Sequence, residues 1–146
     1  MARDHRKLRV FQAAHRLTLA IYRQTRNFPR DEWFGLRAQL RRAAVSIPSN
    51  IVEGSARRST GDYCNFLNIA RASAGELLYL VELSVELEML TDADSTVRSA
   101  CESLVAGMER LVQQVDTLLA AEKEAKRRKR KAAGAAKKPQ GPEPKA

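Results

Sequence analysis

Histidine, cysteine and carboxylate side chains are the usual carriers of catalysis or metal binding, but their spacing in this chain favours neither. His5 lies near the amino terminus and His15 lies in a helical pattern, and neither has partners at metal-ligand spacing. We expect Cys64 and Cys101, which also lie in helical patterns, to be reduced and buried. No nucleophile with a recognisable base, glycine-rich phosphate loop or convergent carboxylate set is evident. The sequence therefore predicts no enzyme, no cofactor and no metal site.

Arginine is the other residue type that carries potential chemistry, because its guanidinium makes bidentate contacts with phosphate or carboxylate. Residues 1–75 contain 14 basic and 5 acidic side chains, residues 76–122 contain 2 and 10, and residues 123–146 contain 10 and 2. Of the 16 basic residues before position 123, all but Lys7 are arginine. The arginine-rich half is suited to nucleic-acid phosphates, or to the acidic half of a neighbouring copy in a head-to-tail oligomer.

Two sets of basic residues are candidates for nucleic-acid binding. Their attraction to phosphate weakens as salt rises, because less is gained from counterion release. The sequence shows no aromatic residues interleaved with them that would stack bases, and no RNA-binding module, so it does not indicate a sequence-specific code. The candidates are Arg37, Arg41, Arg42, Arg57, Arg58 and Arg71 in the helical region, and Lys126, Arg127, Arg128, Lys129, Arg130 and Lys131 in the tail.

A proline interrupts a helical pattern in which an apolar face and a polar line run side by side. At about 100° per residue, the apolar face contains Leu36, Leu40, Ala44, Ile47 and Ile51. Pro48 has no N–H to donate to the Ala44 carbonyl, so we expect a bend, with Ser46, Ser49 and Asn50 available to bond the backbone. We predict a structural polar cluster of Gln39, Ser46, Asn50, Glu53 and Glu76.

The same segment carries a family resemblance. The run Gln-Leu-Arg-Arg-Ala-Ala-Val-Ser-Ile-Pro-Ser-Asn-Ile-Val-Glu-Gly, residues 39–54, resembles the signature of the four-helix-bundle proteins encoded in intervening sequences of bacterial large-subunit (23S) ribosomal RNA genes. The similarity extends through Phe28-Pro29 and Gly35-Leu36 upstream and Phe66-Leu67-Asn68-Ile69-Ala70 downstream, over roughly residues 8–120. A relative of this family is the accessory variability determinant of diversity-generating retroelements, which partners a reverse transcriptase and RNA.

The resemblance implies a homo-oligomer, typically a pentameric ring, with RNA and a reverse transcriptase or a ribosomal component as candidate partners. We therefore predict a non-enzymatic oligomeric bundle that binds RNA or an RNA–protein complex through its arginine-rich surface and basic tail. The alternative is a homo-oligomeric protein-interaction scaffold whose body does not contact nucleic acid. Val45 and Val52 widen the apolar face of the second helix, so this helix is either packed on several sides or in contact with another subunit.

The elements that must position these residues are predicted to be all α. We expect an up-down-up-down antiparallel four-helix bundle over residues 1–122, with helices at about 8–26, 33–57, 61–90 and 93–122, and a disordered basic tail over 123–146. Ser59 is a predicted N-cap, with Asp62 at the capping-box position. The fourth helix shows the 3.5-residue repeat of bundle packing at Val97, Cys101, Leu104, Met108, Leu111, Val115 and Leu118.

Nothing in the sequence predicts a membrane association. No apolar run approaches the roughly 20 residues that span a bilayer, and the amino terminus lacks the apolar segment of a signal peptide. We therefore expect a cytoplasmic protein without a membrane partner.

Overall fold

Four α-helices, each antiparallel to the next, dominate the computed structural model, which describes residues 3–91 and 95–136. They are α1 (Arg9–Gln24), α2 (Leu36–Ser55), α3 (Thr60–Glu86) and α4 (Ser95–Ala136). Helices α1 and α3 each pack against both α2 and α4. The described residues contain no strand and no helix long and apolar enough to cross a membrane. The prediction of an all-α four-helix bundle is confirmed.

One apolar core runs between the four helices. The i, i+3 and i+4 spacing of the apolar residues turns one face of every helix inward. Burying each large aliphatic side chain stabilises the fold by about 1.5–3 kcal/mol, so this core is the main source of stability. Its most enclosed large aliphatic side chains are Ile21, Leu40, Ile47, Ile51, Leu67, Leu77, Val81 and Met108.

Helices α2 and α3 approach each other closely because small residues face each other. A Cβ atom on Gly54 would lie 2.8 Å from Cβ of Phe66 and 3.2 Å from Cδ2 of Tyr63. Further along the same contact, the hydroxyl oxygens of Ser46 and Ser73 are 2.8 Å apart. The absent side chain of Gly54 is therefore a packing requirement of this helix pair.

The helix ends differ from the predicted ends by a few residues, and side-chain caps and backbone conformation at the ends account for this. Helix α2 begins at Leu36, whose backbone N–H donates to Oε2 of Glu32 at 3.0 Å. Ser59 caps α3 as predicted, since its Oγ accepts from the backbone N–H of Asp62 at 3.0 Å. Helix α3 ends at Glu86, earlier than the predicted position 90, because Glu88 adopts the left-handed conformation with φ of 56°.

The buried seam of α4 drifts away from the predicted 3.5-residue repeat. Val112 is buried in place of Leu111, which is half-buried, and Leu118 is 59% exposed. A straight helix with 3.6 residues per turn shifts its buried face relative to a 3.5-residue repeat. The predicted core position of Leu118 is therefore wrong.

The carboxyl end of α4 is the largest difference from the prediction. The helix continues to Ala136, so residues 123–136 are helical where we expected the start of a disordered tail. Lysine, arginine, glutamate and alanine are strong helix formers, and an existing helix needs only propagation, without a new nucleus. The side chains over 123–135 are all exposed, as expected for a segment outside the core. Residues 137–146 and the predicted start of α4 at 93 lie outside the described residues.

Helix α2 runs unbroken through Pro48, and a side chain from α1 replaces the missing backbone donor. The hydroxyl of Thr18 lies 3.0 Å from the carbonyl oxygen of Ala44, the atom that Pro48 cannot reach with an N–H. The same hydroxyl lies 2.8 Å from the Ala14 carbonyl oxygen, so its proton is shared between two acceptors. Asn50 adds a bond from Nδ2 to the Ser46 carbonyl oxygen at 2.8 Å. These side-chain hydrogen bonds thus offset the loss of the backbone hydrogen bond at Pro48.

We predict that Thr18→Val lowers the free energy of unfolding by about 1–2 kcal/mol, because it leaves the Ala44 carbonyl without a donor at nearly constant side-chain volume. Urea unfolding followed by circular dichroism measures the change. Thr117→Val is the matched control, since the Thr117 hydroxyl is exposed and bonds only its own helix at Gln113. We expect the control to change stability by less than about 0.5 kcal/mol.

The Pro48→Ala background makes this test specific, because alanine restores the N–H donor to Ala44. We expect Thr18→Val to lower the free energy of unfolding by clearly less in that background. The comparison is a double-mutant cycle, in which the effect of the proline on the unfolded chain cancels. An equal loss of unfolding free energy in both backgrounds would show that the Thr18 hydroxyl does not replace the donor that Pro48 lacks.

Candidate nucleic-acid interface

Hydrogen bonds join the amino terminus, the α2–α3 turn and α4 at one end of the bundle. Nη2 of Arg3 donates to Oγ1 of Thr60 at 3.4 Å, and the Thr60 hydroxyl donates to Oε1 of Glu122 at 2.7 Å. Nη1 of Arg3 also donates to the Arg57 carbonyl oxygen at 3.1 Å, and its guanidinium lies 4.4 Å from the centre of the Tyr63 ring. Helix α4 therefore leaves the bundle beside Arg3 and Arg57. We call this the basic end.

Residues 123–136 of α4 form a helical extension beyond Glu122, which we call the basic arm. At about 1.5 Å per residue the arm is about 21 Å long. Successive residues are rotated by about 100°, so the six consecutive basic residues at 126–131 surround the helix on all sides. Arg128 Nε donates to Glu124 Oε1 at 3.2 Å, which is the only ion pair in the described part of the arm. This distribution suits contact with phosphates better than readout of bases from one helix face.

Arg57 and Arg58 lie at the basic end. Arg57 forms an exposed ion pair with Glu53, four residues earlier, and its guanidinium lies 4.6 Å from the centre of the Phe66 ring. Such exposed pairs contribute only about 0.3–0.5 kcal/mol, so a phosphate competes readily for Arg57. Arg58 is exposed and makes no ion pair with another described residue. Both arginines are therefore positioned to act together with the arm.

Arg41 lies at the opposite end of α2, where it binds α1. Its Nε donates to Oγ1 of Thr25 at 2.9 Å, its Nη2 donates to the Tyr22 carbonyl oxygen at 3.2 Å, and its guanidinium lies 4.6 Å from the centre of the Tyr22 ring. Burial, followed by the neighbouring charge of Arg37, lowers the pKa of Arg41 from its ordinary value. These contacts assign Arg41 a structural role that the sequence pattern did not indicate.

The predicted basic residues do not form one continuous surface. Arg37 and Arg57 are 20 positions apart, roughly 30 Å along a helix axis. Arg42 is exposed near Arg37, and Arg71 is exposed on α3 between the two ends. Of the arginines predicted in the bundle, the structure therefore brings Arg57 and Arg58 to the base of the arm and leaves the others apart from it.

The predicted polar cluster is smaller than expected. Asn50 and Ser46 are joined, since Nδ2 of Asn50 lies 3.1 Å from Oγ of Ser46, and Ser46 contacts Ser73 of α3. The three remaining members, Gln39, Glu53 and Glu76, are exposed and lie outside this cluster. Ser73 was missed because a single serine in a helical pattern gives no signal of its partner across a helix contact.

Aromatic rings do lie among the arginines, contrary to the expectation from sequence. The Trp33 ring centre is 4.9 Å from the Arg37 guanidinium and 5.7 Å from that of Arg30, and Tyr22 contacts Arg41 as described. The expectation was wrong because the α1–α2 connection folds Trp33 back against the start of α2. The spacing of Arg30, Trp33 and Arg37, three and four residues apart, is the signal that could have revealed the contact.

The cysteine thiols are free and buried, as expected. Burial and then the hydrogen bond to Oδ1 of Asp116, 2.9 Å from Sγ, raise the pKa of Cys64 above its ordinary value. Burial raises the pKa of Cys101 to about 12. Since the thiolate is the nucleophilic form, neither side chain is activated for covalent chemistry.

Both histidines lie against the same aromatic ring. The ring centre of Phe11 is 4.8 Å from that of His5 and 6.4 Å from that of His15. Within residues 3–91 and 95–136, no group of three or more histidine, cysteine, aspartate or glutamate side chains is arranged to hold a metal ion. His5 therefore packs against Phe11, whereas His15 is exposed.

The sequence and the fold are similar to those of known proteins. The family model of the 23S rRNA-intervening sequence protein matches residues 6–110. The chain belongs to this family. The matched region contains α1, α2, α3 and the first part of α4, whereas the basic arm lies beyond it. The family assignment predicted from residues 39–54 is confirmed, and the arm is a feature outside the family match.

A solved structure supports the bundle fold. The chain is similar to the crystal structure of a protein with unknown function from the S23 ribosomal protein family of Bacteroides thetaiotaomicron. The TM-score is 0.65 at 23% sequence identity, and the match covers 71% of this chain and 95% of the other. No curated protein matches the chain. At this identity the structural similarity establishes the fold alone.

We predict that both thiols react slowly with a thiol reagent at pH 8 in the native protein and rapidly after denaturation. The raised pKa values keep both groups protonated at this pH, and burial restricts access to them. Mass spectrometry after timed alkylation measures each site. Rapid native modification of Cys101 would contradict its described environment.

Proposed function

We propose that this member of the 23S rRNA-intervening sequence protein family is a non-enzymatic, oligomeric helical bundle that binds RNA or an RNA–protein complex through the basic arm and the basic end. The observation that carries the proposal is the emergence of an exposed, helical, strongly basic segment directly beside Arg3, Arg57 and Arg58. Arg57 and Arg58 and the helical part of the tail, which were separate candidates in the sequence, lie at the same end of the bundle.

The charge of the arm supports a phosphate-binding role. Residues 123–136 contain seven basic side chains and one acidic side chain. Phosphate contacts by such residues release condensed counterions, which gives affinity with a steep salt dependence and little sequence preference. The structural neighbour carries the name of a ribosomal protein family, which is compatible with an RNA–protein complex as the target.

We predict that replacing all six basic residues at 126–131 with glutamine weakens binding of a labelled RNA at least tenfold at about 50 mM salt. The slope of log affinity against log salt should fall by up to about 4, since each lost phosphate contact contributes about 0.7 for a single strand. Fluorescence anisotropy measures both quantities. Glutamine retains high helix propensity, so circular dichroism should show an unchanged helix content.

Arg110→Gln is the control. It removes one positive charge from the part of α4 that lies within the bundle. It should change affinity by less than about twofold, because Arg110 lies 12 residues before Glu122, roughly 18 Å along α4, and so outside the proposed interface. Equal binding by the wild type and the six-residue variant would exclude the arm as the interface. If the wild type itself binds no RNA at low salt, the RNA proposal fails.

A second candidate function is a homo-oligomeric scaffold, and an open groove favours it. The groove lies between α1 and α2, has a volume of about 740 Å³ and contains Phe11, Pro48 and Val52 in its walls. Val45 and Val52 are 40% and 39% exposed on α2. A second copy that covers this face would bury the apolar surface that a single bundle leaves open.

We predict that the combined change Val45→Lys and Val52→Lys reduces the particle mass measured by light scattering toward the 16.3 kDa of one chain. Both side chains are partly exposed, so the bundle should stay folded while the charges prevent apolar contact between copies. Tyr79→Lys, at a 61% exposed position on α3, is the control and should leave the mass unchanged. A monomeric wild type at micromolar concentration would contradict the scaffold proposal and the proposed oligomer.

A further inference from the structure

The bundle end opposite the basic arm presents three exposed aromatic side chains. Phe34 is 93% exposed, Tyr22 is 42% exposed and Trp33 is 41% exposed. All three lie at the end of α1 or in its connection to α2. We call them the aromatic platform. A phenylalanine with almost its whole surface in water has a hydrophobic cost, so its presence suggests a partner that covers the ring.

Hydrogen bonds define the backbone of the α1–α2 connection, which carries Trp33 and Phe34 of the platform. Nε1 of Trp33 donates to the Phe28 carbonyl oxygen at 3.0 Å. Glu32 accepts from the first residue of α2 through Oε2, and a Cβ atom on Gly35 would lie 2.8 Å from that same oxygen. A side chain at position 35 would therefore require the Glu32 carboxylate to move from its capping position. These bonds define the backbone on both sides of Phe34, whose ring extends into solvent.

Arginines contact two rings of the platform, in a connection that also contains the acidic residues Asp31 and Glu32. Arg30 and Arg37 lie against the Trp33 ring, and Arg41 lies against the Tyr22 ring. None of these three forms an ion pair with a carboxylate in the part of the chain that the structure describes, although Arg41 is hydrogen-bonded to α1. Exposed aromatic rings and nearby positive charge are the two elements that bind single-stranded nucleic acid, through base stacking and phosphate contact. Because guanidinium groups lie over the Trp33 and Tyr22 rings, the almost fully exposed Phe34 is the ring left open for a base.

Acidic residues at this end limit where a strand can lie. Glu86 and Glu88 are exposed where α3 ends, and α3 ends beside the start of α2 because the two helices are antiparallel. Their negative charge repels phosphates from the α3 side of the end. A strand that contacts Phe34 would therefore follow the α1–α2 connection and its arginines.

We infer that the aromatic platform binds unpaired nucleotides of a single-stranded nucleic acid, with a base stacked on Phe34 and neighbouring phosphates held by Arg30 and Arg37. The inference rests on the proposed RNA-binding function and adds a second subsite, different in chemistry from the basic arm and at the far end of the bundle. The arm binds phosphates of any strand, whereas the platform requires bases that are free to stack. The pair of subsites selects RNA with an unpaired segment.

The single tryptophan of the chain, Trp33, reports on this site directly. The full chain is titrated with a short oligoadenylate RNA, with the matching DNA, and with a fully paired RNA duplex of equal length. We expect both single strands to quench the Trp33 emission and the duplex to bind without comparable quenching. Stronger quenching by RNA than by DNA identifies RNA as the source of the nucleotides, and the reverse identifies DNA.

Phe34→Ala is the decisive variant, because the side chain is exposed and its removal does not disturb the core. We expect it to weaken single-strand binding about tenfold, the loss of one stacked base, and to leave duplex binding unchanged. Tyr79→Ala on α3 is the matched control for an exposed aromatic ring and should bind like the wild type. Quenching should persist in the variant with glutamine at 126–131, although at higher RNA concentration.

Two results overturn the inference and leave the proposed function standing. The first is RNA binding by anisotropy in which neither quenching nor the Phe34→Ala effect appears. The second is a lower particle mass for Phe34→Ala with unchanged single-strand affinity, which would assign the platform to contact between protein copies. Absence of all RNA binding by the wild type contradicts both proposals.

Discussion

The carbonyl oxygen of Ala44 is the atom on which the central part of the bundle depends. Pro48 removes its helical donor, and the Thr18 hydroxyl reaches it from α1 at 3.0 Å. A buried acceptor without a partner costs about 1–3 kcal/mol, so α1 has a fixed position and register against α2. The next turn of α2 carries Asn50 and Ser46, which extend the polar contacts to Ser73 on α3. Hydrogen bonds close to Pro48 thus join three helices.

The length of α2 separates two regions of different chemistry. One end joins Arg3, Arg57 and the basic arm, where charge dominates and the contacts suit phosphates. The other end carries rings as well as charge, because the α1–α2 connection brings Trp33 against Arg37. The core holds these two regions roughly 30 Å apart.

Local sequence signals predicted the helices well, because helix formation depends on near neighbours. The i, i+3 and i+4 pattern identified the buried face of α2, and Ser59 was recognised as a cap from its spacing to Asp62. These local signals could not predict contacts between positions that are distant in the sequence. Thr18 bonds Ala44 across 26 positions, and Arg41 is held by Thr25 across 16 positions. The basic residues were therefore recognisable from the sequence, whereas their distribution between two ends of the bundle was not, and their role in binding stays a prediction.

The extent of the basic segment was missed for a different reason. Composition correctly indicated that residues 123–135 add nothing to the core, but absence from a core does not prevent a helix from continuing. Because α4 is unbroken from the buried Met108 to Ala136, the angular position of each arm residue is set by packing inside the bundle. The arm is therefore phased to the core: inserting one residue between them would rotate its whole charge pattern by about 100° about the helix axis.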